Sequence, residues 1–442
     1  MGARDLCARR LDGARHARAR QDRGSRPRRR HLHPPKRTPR LRHRTGPDLP
    51  VPRRRALRTA PGTERVPLRR PVRVHAEPPV REPSGGRQVS APTAAAHSRA
   101  LAPYEDAPDP GPLLALNFGF ARARVLGTAL DLGVFTGLAR GPRGTPGLAA
   151  ELACDPAALH ALLAALEELG LVAGGAEESW TLTDTSRAHL VEGGRGYLGD
   201  HFADVLAEWD QWSGLTELVR SGRHGGGELG APENRGLYPG MFAGIFPVGV
   251  RTAFRVVREL APRAAGRVLD FASGAGEWGI ALAAADPEAR VVAHDTPELL
   301  GAARERAAEF GVAERFRFVP ADFTRDYAGD FPKAPFPEGC FDTVVLAHLS
   351  RFAGPDATER LIQECARLLR PGGTLLIVDV MRQEPGRPAL HRPMIALSLL
   401  VNTDAGGVQE ESAYRAVMEK YGVTAKESVT PGLITVLTGE RR

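Results

Sequence analysis

The stretch Arg267-Val-Leu-Asp-Phe-Ala-Ser-Gly-Ala-Gly-Glu-Trp-Gly279 constrains this chain more than any other part of it. Val268, Leu269 and Phe271 read as a buried strand, the glycines as a tight turn, and Glu277 as the opening of a helix that continues through Ile280-Ala-Leu-Ala-Ala-Ala285. A strand that hands over to a helix N-terminus leaves free N–H groups and bare backbone at one point. That geometry accepts the polar tail of a nucleotide-like cofactor. Gly274-x-Gly276-x-x-Gly279 matches the dinucleotide fingerprint, which alone is a weak signal. Asp270, on the strand four residues before Gly274, sharpens it. A carboxylate there would repel a pyrophosphate and would hold a cofactor bearing an ammonium group.

S-adenosylmethionine is such a cofactor, and the next signals come in the order it requires. Arg290-Val-Val-Ala-His-Asp295 is a second strand ending in an acid nineteen residues past Gly276, placed to accept both ribose hydroxyls. Phe316-Arg-Phe-Val-Pro-Ala-Asp322-Phe323 is a third strand followed by an acid and an aromatic, suited to the adenine amine and the adenine face. Phe341-Asp342-Thr-Val-Val-Leu-Ala347 is a fourth. A helix over 357–369 should end in a C-cap turn at Arg370-Pro371-Gly372-Gly373, with a fifth strand, Thr374-Leu-Leu-Ile-Val-Asp-Val380, following at once. Strands alternating with helices predict a parallel sheet covered on both faces.

With these motifs the chain resembles the class I S-adenosylmethionine-dependent methyltransferases, specifically the two-domain O-methyltransferases of the caffeate and hydroxyneurosporene type. The resemblance covers roughly residues 110–442, with Pro371-Gly372-Gly373 among its more specific marks. Upstream, Trp212-Ser-Gly-Leu215, Val219-Arg-Ser-Gly222 and Met241-Phe242 look like the family's inter-domain helical segment. The resemblance implies an α/β fold, a Rossmann-like doubly wound methyltransferase domain preceded by a mostly helical winged-helix dimerisation domain. It also implies a homodimer acting on small molecules of secondary metabolism; the cysteine pattern, taken by itself, fits a reducing cytoplasm. Carried over by position, Gly274 and Gly276 would cradle the methionine part of the cofactor, Asp295 its ribose, and Asp322 with Phe323 its adenine. Ala272 departs from the pattern, standing where the family's first glycine usually does, which predicts weaker cofactor contact.

The reaction is less directly encoded. Methyl transfer to a hydroxyl needs the nucleophile in line and a group to take its proton. In the resembled family a His supplies that base, nine residues after the acid of strand four and twenty before the Pro-Gly-Gly. Both counts land here on Arg351. Arginine cannot be deprotonated in a protein. Four readings stay open: Arg351 anchors a substrate carboxylate or phenolate; His348, three residues earlier, is the base; the acceptor is a carbon, nitrogen or thiol; or proximity alone suffices. Asp379 at the end of strand five, and Glu410 or Gln409, map onto the family's accessory acids. The acceptor pocket is expected between Met241, Phe242, Phe246 and residues 397–402, and its apolar character favours a flat or hydrophobic small molecule.

Composition divides the chain. Residues 1–88 carry 26 Lys+Arg against 7 Asp+Glu, so the overall formal charge of +8 conceals a net of −11 in the remainder. This leader has thirteen prolines and no Phe, Trp, Tyr or Ile, too little apolar surface to offset its ordering entropy, and is expected to be disordered. Its Arg/Pro/Gly/Ala excess fits a start codon assigned too far upstream, with Val89 a candidate native start; nucleic-acid binding and a transit peptide fit less well. No secretory h-region and no run of 18 apolar residues is apparent, so no membrane span is expected. Cys7, Cys154, Cys340 and Cys365 lack CxxC spacing and point to neither zinc nor a disulfide framework.

The expected division is a leader over 1–105, a winged-helix domain over 106–190, a helical linker and pocket segment over 191–262, and the cofactor-binding domain over 263–442. In the second of these, residues 113–138 read as one or two amphipathic helices. Asp155-Pro156 caps a helix carrying Leu159, Leu162, Leu163, Leu166 and Leu169, and Ser179-Trp-Thr-Leu-Thr183 makes a small wing. A winged helix raises a rival reading, a DNA-binding regulator. Its would-be recognition helix has Glu167 and Glu168 and no Lys or Arg, so it has nothing with which to neutralise phosphates. A nicotinamide-dependent oxidoreductase is the other rival, resting on the glycine fingerprint alone.

Overall fold

The computed structural model describes residues 107–175, 179–222, 243–260, 265–321, 334–382, 392–403 and 405–442. The leader, and with it the reading of residues 1–88, lies outside the described residues.

Where one or two helices were expected over 113–138 there are three, α1 Gly111–Asn117, α2 Gly119–Asp131 and α3 Val134–Leu138. Left-handed Gly133 separates the last two. Then follow α4 Thr145–Leu152 and α5 Pro156–Glu168. Asp155 caps α5 as its sequence predicts, accepting a 2.8 Å bond from the Ala158 N–H, with Pro156 in the first turn where no donor is lost. The apolar stripe of α5 (Leu159, Leu163, Leu166) packs with Phe135, Leu138, Leu148 and Trp180 into one buried cluster. The wing is a two-stranded antiparallel pair, β1 Val172–Ala173 with β2 Thr181–Leu182. Trp180 beside it buries its ring and donates its indole N–H to Thr145 Oγ1 at 2.9 Å.

Helices α1 and α2 differ from the rest of this domain in what they leave in solvent. Leu113, Leu116 and Phe118 are 70%, 78% and 62% exposed. The stretch Gly111–Asp131 also reaches a mean hydropathy of 1.2, long and apolar enough by composition to cross a membrane. No uninterrupted apolar run marks it in the sequence, because Arg122, Arg124 and Asp131 break the stretch.

Short helices α6 Asp184–His189, α7 Gly199–Ala207, α8 Trp209–Ser213 and α9 Leu215–Ser221, and then α10 Phe246–Leu260, lead to the sheet. Its strands are β3 Arg267–Phe271, β4 Arg290–Asp295, β5 Phe316–Pro320, β6 Phe341–Ala347, β7 Leu369–Asp379, β8 Val423–Val429 and β9 Thr435–Arg441, in the order β5-β4-β3-β6-β7-β9-β8. The first five are parallel, as expected. Strand β9 runs antiparallel to β7, and edge strand β8, antiparallel in turn to β9, completes a seven-stranded sheet. Alternate residues of one strand enter different cores: Leu269, Val344, Leu346, Leu375 and Ile377 on one face, Val268, Val345, Leu376 and Val378 on the other. This is why the strands read as continuous apolar runs. The connecting helices are α11 Glu277–Ala285, α12 Pro297–Glu309, α13 Ser350–Leu368, α14 Arg392–Asn402 and α15 Glu411–Lys420.

Two local expectations change. The segment Arg370-Pro371-Gly372-Gly373 is not a C-cap turn ahead of the strand but lies within β7. There Phe341 pairs with Leu369 and Thr343 with Thr374, so the four residues form an irregularity in the β6–β7 ladder. Gly373 is obligatory, since a Cβ would lie 2.9 Å from the Arg370 carbonyl oxygen and 3.0 Å from that of Asp342. Helix α13 begins seven residues earlier than predicted, at Ser350, and is broken at Gly354 (φ 73, ψ 171) before Pro355. Cys154 and Cys365 are free thiols, whereas Cys340 is disulfide-bonded.

Candidate active site

Open parallel sheets bind ligands beyond the carboxyl ends of their strands, and there lie Asp270, Gly274, Gly276 and Asp295, with His348, Arg351 and Asp379 at the ends of β6 and β7. After β3 the chain passes through Ala272 (φ 58), Gly274 (φ 55) and Gly276 (φ 89) into α11. Ala272 thus holds a left-handed conformation that a side chain disfavours. Two acids tie the turn. Asp295, at the end of β4, accepts the Gly274 N–H at 2.7 Å on one oxygen and the Thr296 N–H at 2.7 Å on the other. Asp270 accepts the Gly279 N–H at 2.9 Å, and a Cβ on Gly279 would lie 2.8 Å from that carboxylate. The third glycine of the fingerprint therefore serves close packing of helix on strand. At Gly274 an added Cβ would meet only Glu277 Oε2 at 3.8 Å, so the floor of the turn is open.

This end of the sheet is short of positive charge. Asp270 and Asp295 are 1% and 4% exposed, and desolvation pushes both carboxyls up to about 7. Glu277, in the first turn of α11, rises to about 8, first through desolvation and then through repulsion from Asp270 and Asp295, which outweighs the attraction of Arg306. Glu277 went unremarked in the sequence, where an acid at a helix start looks like ordinary N-terminal chemistry. Ser273, 5% exposed, has a buried hydroxyl with no partner among the described residues. Acids with raised pKa values, an idle hydroxyl and open backbone form a cradle suited to a ligand with cationic and hydroxyl groups.

Asp322 and Phe323 lie outside the described residues, as do Met241 and Phe242. Phe246 does not face a cleft: it is 3% exposed, lies edge-on to Phe310 at 6.1 Å between α10 and α12, and carries the Arg306 guanidinium over its ring at 4.9 Å. Around residues 397–402, Asn402 donates to Glu208 Oε2 at 2.7 Å, joining α14 to the end of α7. Beside that junction Val205, Leu206, Trp209, Trp212 and Ser213 line a cavity of about 390 Å³, a mostly apolar wall missed because its residues are spread over α7 and α8. Glu410 pairs with exposed Arg382 at 3.2 Å, and Gln409 donates to Thr358 Oγ1 at 2.7 Å, so both are engaged away from the turn.

His348, Arg351 and Asp379 do come together, at the ends of β6 and β7. Asp379, fully buried, accepts the Arg351 guanidinium Nη1 at 3.0 Å, the Arg351 backbone N–H at 3.1 Å and the Val380 N–H at 2.8 Å. Desolvation still holds its carboxyl above the usual range, with Arg351 opposing the rise. The same Nη1 lies 2.9 Å from His348 Nδ1, and the guanidinium covers the Phe352 ring at 4.8 Å. His348 has φ 58 and is pinned by its N–H to the Val378 carbonyl oxygen at 2.7 Å. Its imidazole is pushed down to about 3, first by desolvation and then by the Arg351 charge. Behind them Tyr414, buried on α15, is raised by desolvation and by Asp379.

Residues 268–373 match the methyltransferase domain family and residues 114–192 the O-methyltransferase dimerisation domain family. The chain is 25% identical over 312 residues to the tetracenomycin polyketide synthesis 8-O-methyl transferase of Streptomyces glaucescens, covering 69% of this chain and 89% of that protein. It is 26% identical to acetylserotonin O-methyltransferase of Rattus norvegicus, covering 72% and 74%. Among solved structures, human N-acetylserotonin methyltransferase in complex with S-adenosylmethionine matches with a TM-score of 0.63 at 20% identity, covering 76% of this chain and 99% of that one. These similarities favour neither rival reading. The chain belongs to the two-domain O-methyltransferases, a methyltransferase domain preceded by an O-methyltransferase dimerisation domain.

Proposed function

We propose that this protein transfers a methyl group from S-adenosylmethionine to an oxygen of a small aromatic or hydrophobic molecule. The observation that carries the reading is the cradle of Asp270, Ser273, Gly274, Gly276 and Asp295, which fits that cofactor by its donor set. Asp295 keeps lone pairs for ribose hydroxyls beside the backbone bonds it accepts. Asp270 and Glu277 are carboxyls that an adjacent ammonium would draw into the ionised form, and Ser273 has a free hydroxyl to offer. The assignment of adenine to Asp322 and Phe323 follows from their place after β5. When bound, the cofactor supplies an electrophilic methyl on a sulfonium. The chain's own part is to hold the acceptor in line, exclude water and set its protonation state.

We assign the acceptor to the α7–α8 wall with Trp209 and Trp212; Met241 and Phe242 stay candidates from the resemblance alone. The two tryptophans favour a flat molecule. The exposed Leu113 and Leu116 of α1 and Phe118 between α1 and α2 are assigned to a homodimer interface, since apolar surface of that extent marks association. Domain limits near 106–190, 191–262 and 263–442 and a cytoplasmic location complete the reading. Calorimetry with S-adenosylhomocysteine tests it. Binding at micromolar concentration with no response to NADH supports the proposal, and the reverse selectivity returns the chain to the oxidoreductases.

A further inference from the structure

We infer that His348 acts as a hydrogen-bond donor to the acceptor rather than as its base, and that the enzyme therefore takes acceptors whose hydroxyl is already ionised at neutral pH. The inference rests on the function proposed above and specifies its acceptor class. Arginine has five N–H donors and no lone pair to offer. A guanidinium Nη1 at 2.9 Å from His348 Nδ1 requires that nitrogen to be the acceptor, so the ring proton sits on Nε2. Arg351 cannot turn away to release it, because the same Nη1 is bonded to buried Asp379 at 3.0 Å and its own N–H is bonded to that carboxylate too. Nor can the backbone of His348 easily swing, being held in the left-handed region by the bond to Val378. The unengaged nitrogen of His348 is then an N–H, a donor. The groups around the ring are Arg351 on α13, Asp379 on β7 through that arginine, and Tyr414 on α15 behind both. Among these, Asp379 is fully buried and already holds three N–H bonds, two of them from Arg351, so it is not placed to receive a proton from the acceptor.

An N–H beside a guanidinium stabilises an oxyanion and does nothing to generate one. The acceptor accordingly loses its proton to bulk water before binding. Its oxygen lone pair forms the new carbon–oxygen bond while the carbon–sulfur pair returns to sulfur, leaving a neutral thioether and a neutral ether. Phenols conjugated to a carbonyl or quinone satisfy this condition, and simple phenols, with pKa near 10 as in tyrosine, do not.

The test has two arms. In the first, the full chain is labelled with ¹⁵N-histidine, without cofactor, and the His348 signals are assigned by their loss in His348→Gln. A neutral Nε2–H tautomer unchanged between about pH 5 and 9, where an ordinary imidazole titrates, supports the inference; an Nδ1–H tautomer or titration near neutrality overturns it. In the second, turnover is followed over nitro- and acyl-phenols of graded acidity. The inference expects kcat/KM to follow the phenolate fraction, with His348→Leu raising KM roughly 10- to 100-fold, as for loss of one bond to a charged group, and His348→Gln, which keeps an N–H, recovering most of it. A loss of kcat of about 10²–10⁴-fold in both variants identifies a base and overturns it. Failure of S-adenosylhomocysteine to bind would overturn the proposed function instead, and the tautomer measurement stands apart from that result.

Discussion

Replacing Arg351 by Met separates a positioning role from a substrate-anchoring one. Arg351→Met keeps the aliphatic stem but removes the only charged partner that Asp379 has among the described residues. Asp379 is fully buried, so its carboxylate would keep two backbone N–H bonds and no counter-charge. Removing one partner of a buried pair costs about 3–5 kcal/mol. The low end, near 3 kcal/mol, is expected here, because those two N–H bonds remain. For domains of this size that corresponds to a fall in Tm of roughly 6–12 °C, at about 2–4 °C per kcal/mol. Neutralising the stranded group should restore most of the loss, so Arg351→Met/Asp379→Asn is expected within about 1 kcal/mol of the parent, with a coupling energy of at least roughly 1.5 kcal/mol in the double-mutant cycle. Differential scanning calorimetry and urea titration without ligand read both quantities. If Arg351→Met melts within about 2 °C of the parent, or if the two single effects simply add, the pair is not structural and the guanidinium is free to serve substrate.

Three further outcomes follow from the cofactor end. Asp295→Ala should weaken S-adenosylhomocysteine by roughly 1–3 kcal/mol in calorimetry, and unchanged affinity would remove Asp295 from the cradle. Asp270 and Asp295 titrate near 7 and Glu277 near 8 in the folded chain, all above their unfolded values. Raised carboxyl pKa values favour the fold at low pH, and that contribution is lost as pH climbs from the unfolded values, about 4, through the folded ones. Melting temperature without ligand should therefore decline from about pH 5 to 8, and S-adenosylhomocysteine should flatten the decline; a ligand-independent slope would contradict the assignment. Ala272→Gly relieves a left-handed alanine (φ 58) and should leave stability unchanged or raise it by up to about 1 kcal/mol, whereas the same change at right-handed backbone destabilises.

Much of this arrangement was legible in the residues, for reasons that differ from element to element. The central parallel strands β3, β6 and β7 were readable because they are buried on both faces, which writes apolar runs such as Val344-Val345-Leu346. The α5 cap was readable because Asp-Pro at a helix start is local chemistry. By contrast β8, Val423-Thr-Ala-Lys-Glu-Ser-Val429, is an edge strand, and its Lys426 and Glu427 hide it from a hydrophobicity scan. The Pro-Gly-Gly segment misled because turn residues inside a ladder look the same in sequence as turn residues before one. Spacing pointed to Arg351 but not to its partner: the separation of 28 positions from Asp379 is closed by the parallel pairing of β6 and β7, which no local pattern reports.

That pairing gives the two ends of the site opposite electrostatics. At the β3–β4 end, Asp270, Glu277 and Asp295 crowd together with desolvated carboxyls, an environment that a cationic cofactor relieves. At the β6–β7 end the charges of Arg351 and Asp379 cancel, and what remains exposed to a ligand is donor character, the His348 ring and the flank of the guanidinium. A histidine at position 351 would reverse the second end, placing a lone pair where donors now stand and leaving Asp379 to steady an imidazolium. Arg351→His should therefore extend turnover to less acidic phenols while reducing the preference for ionised ones, and it should do so with a new dependence of kcat on a group titrating near the ordinary imidazole value of about 6.5. Competition between 4-nitrophenol and phenol in one reaction, followed by product ratio, reads the change directly. A ratio identical to that of the parent would mean that acceptor ionisation is not controlled from this position, and that the donor reading of His348 fails with it.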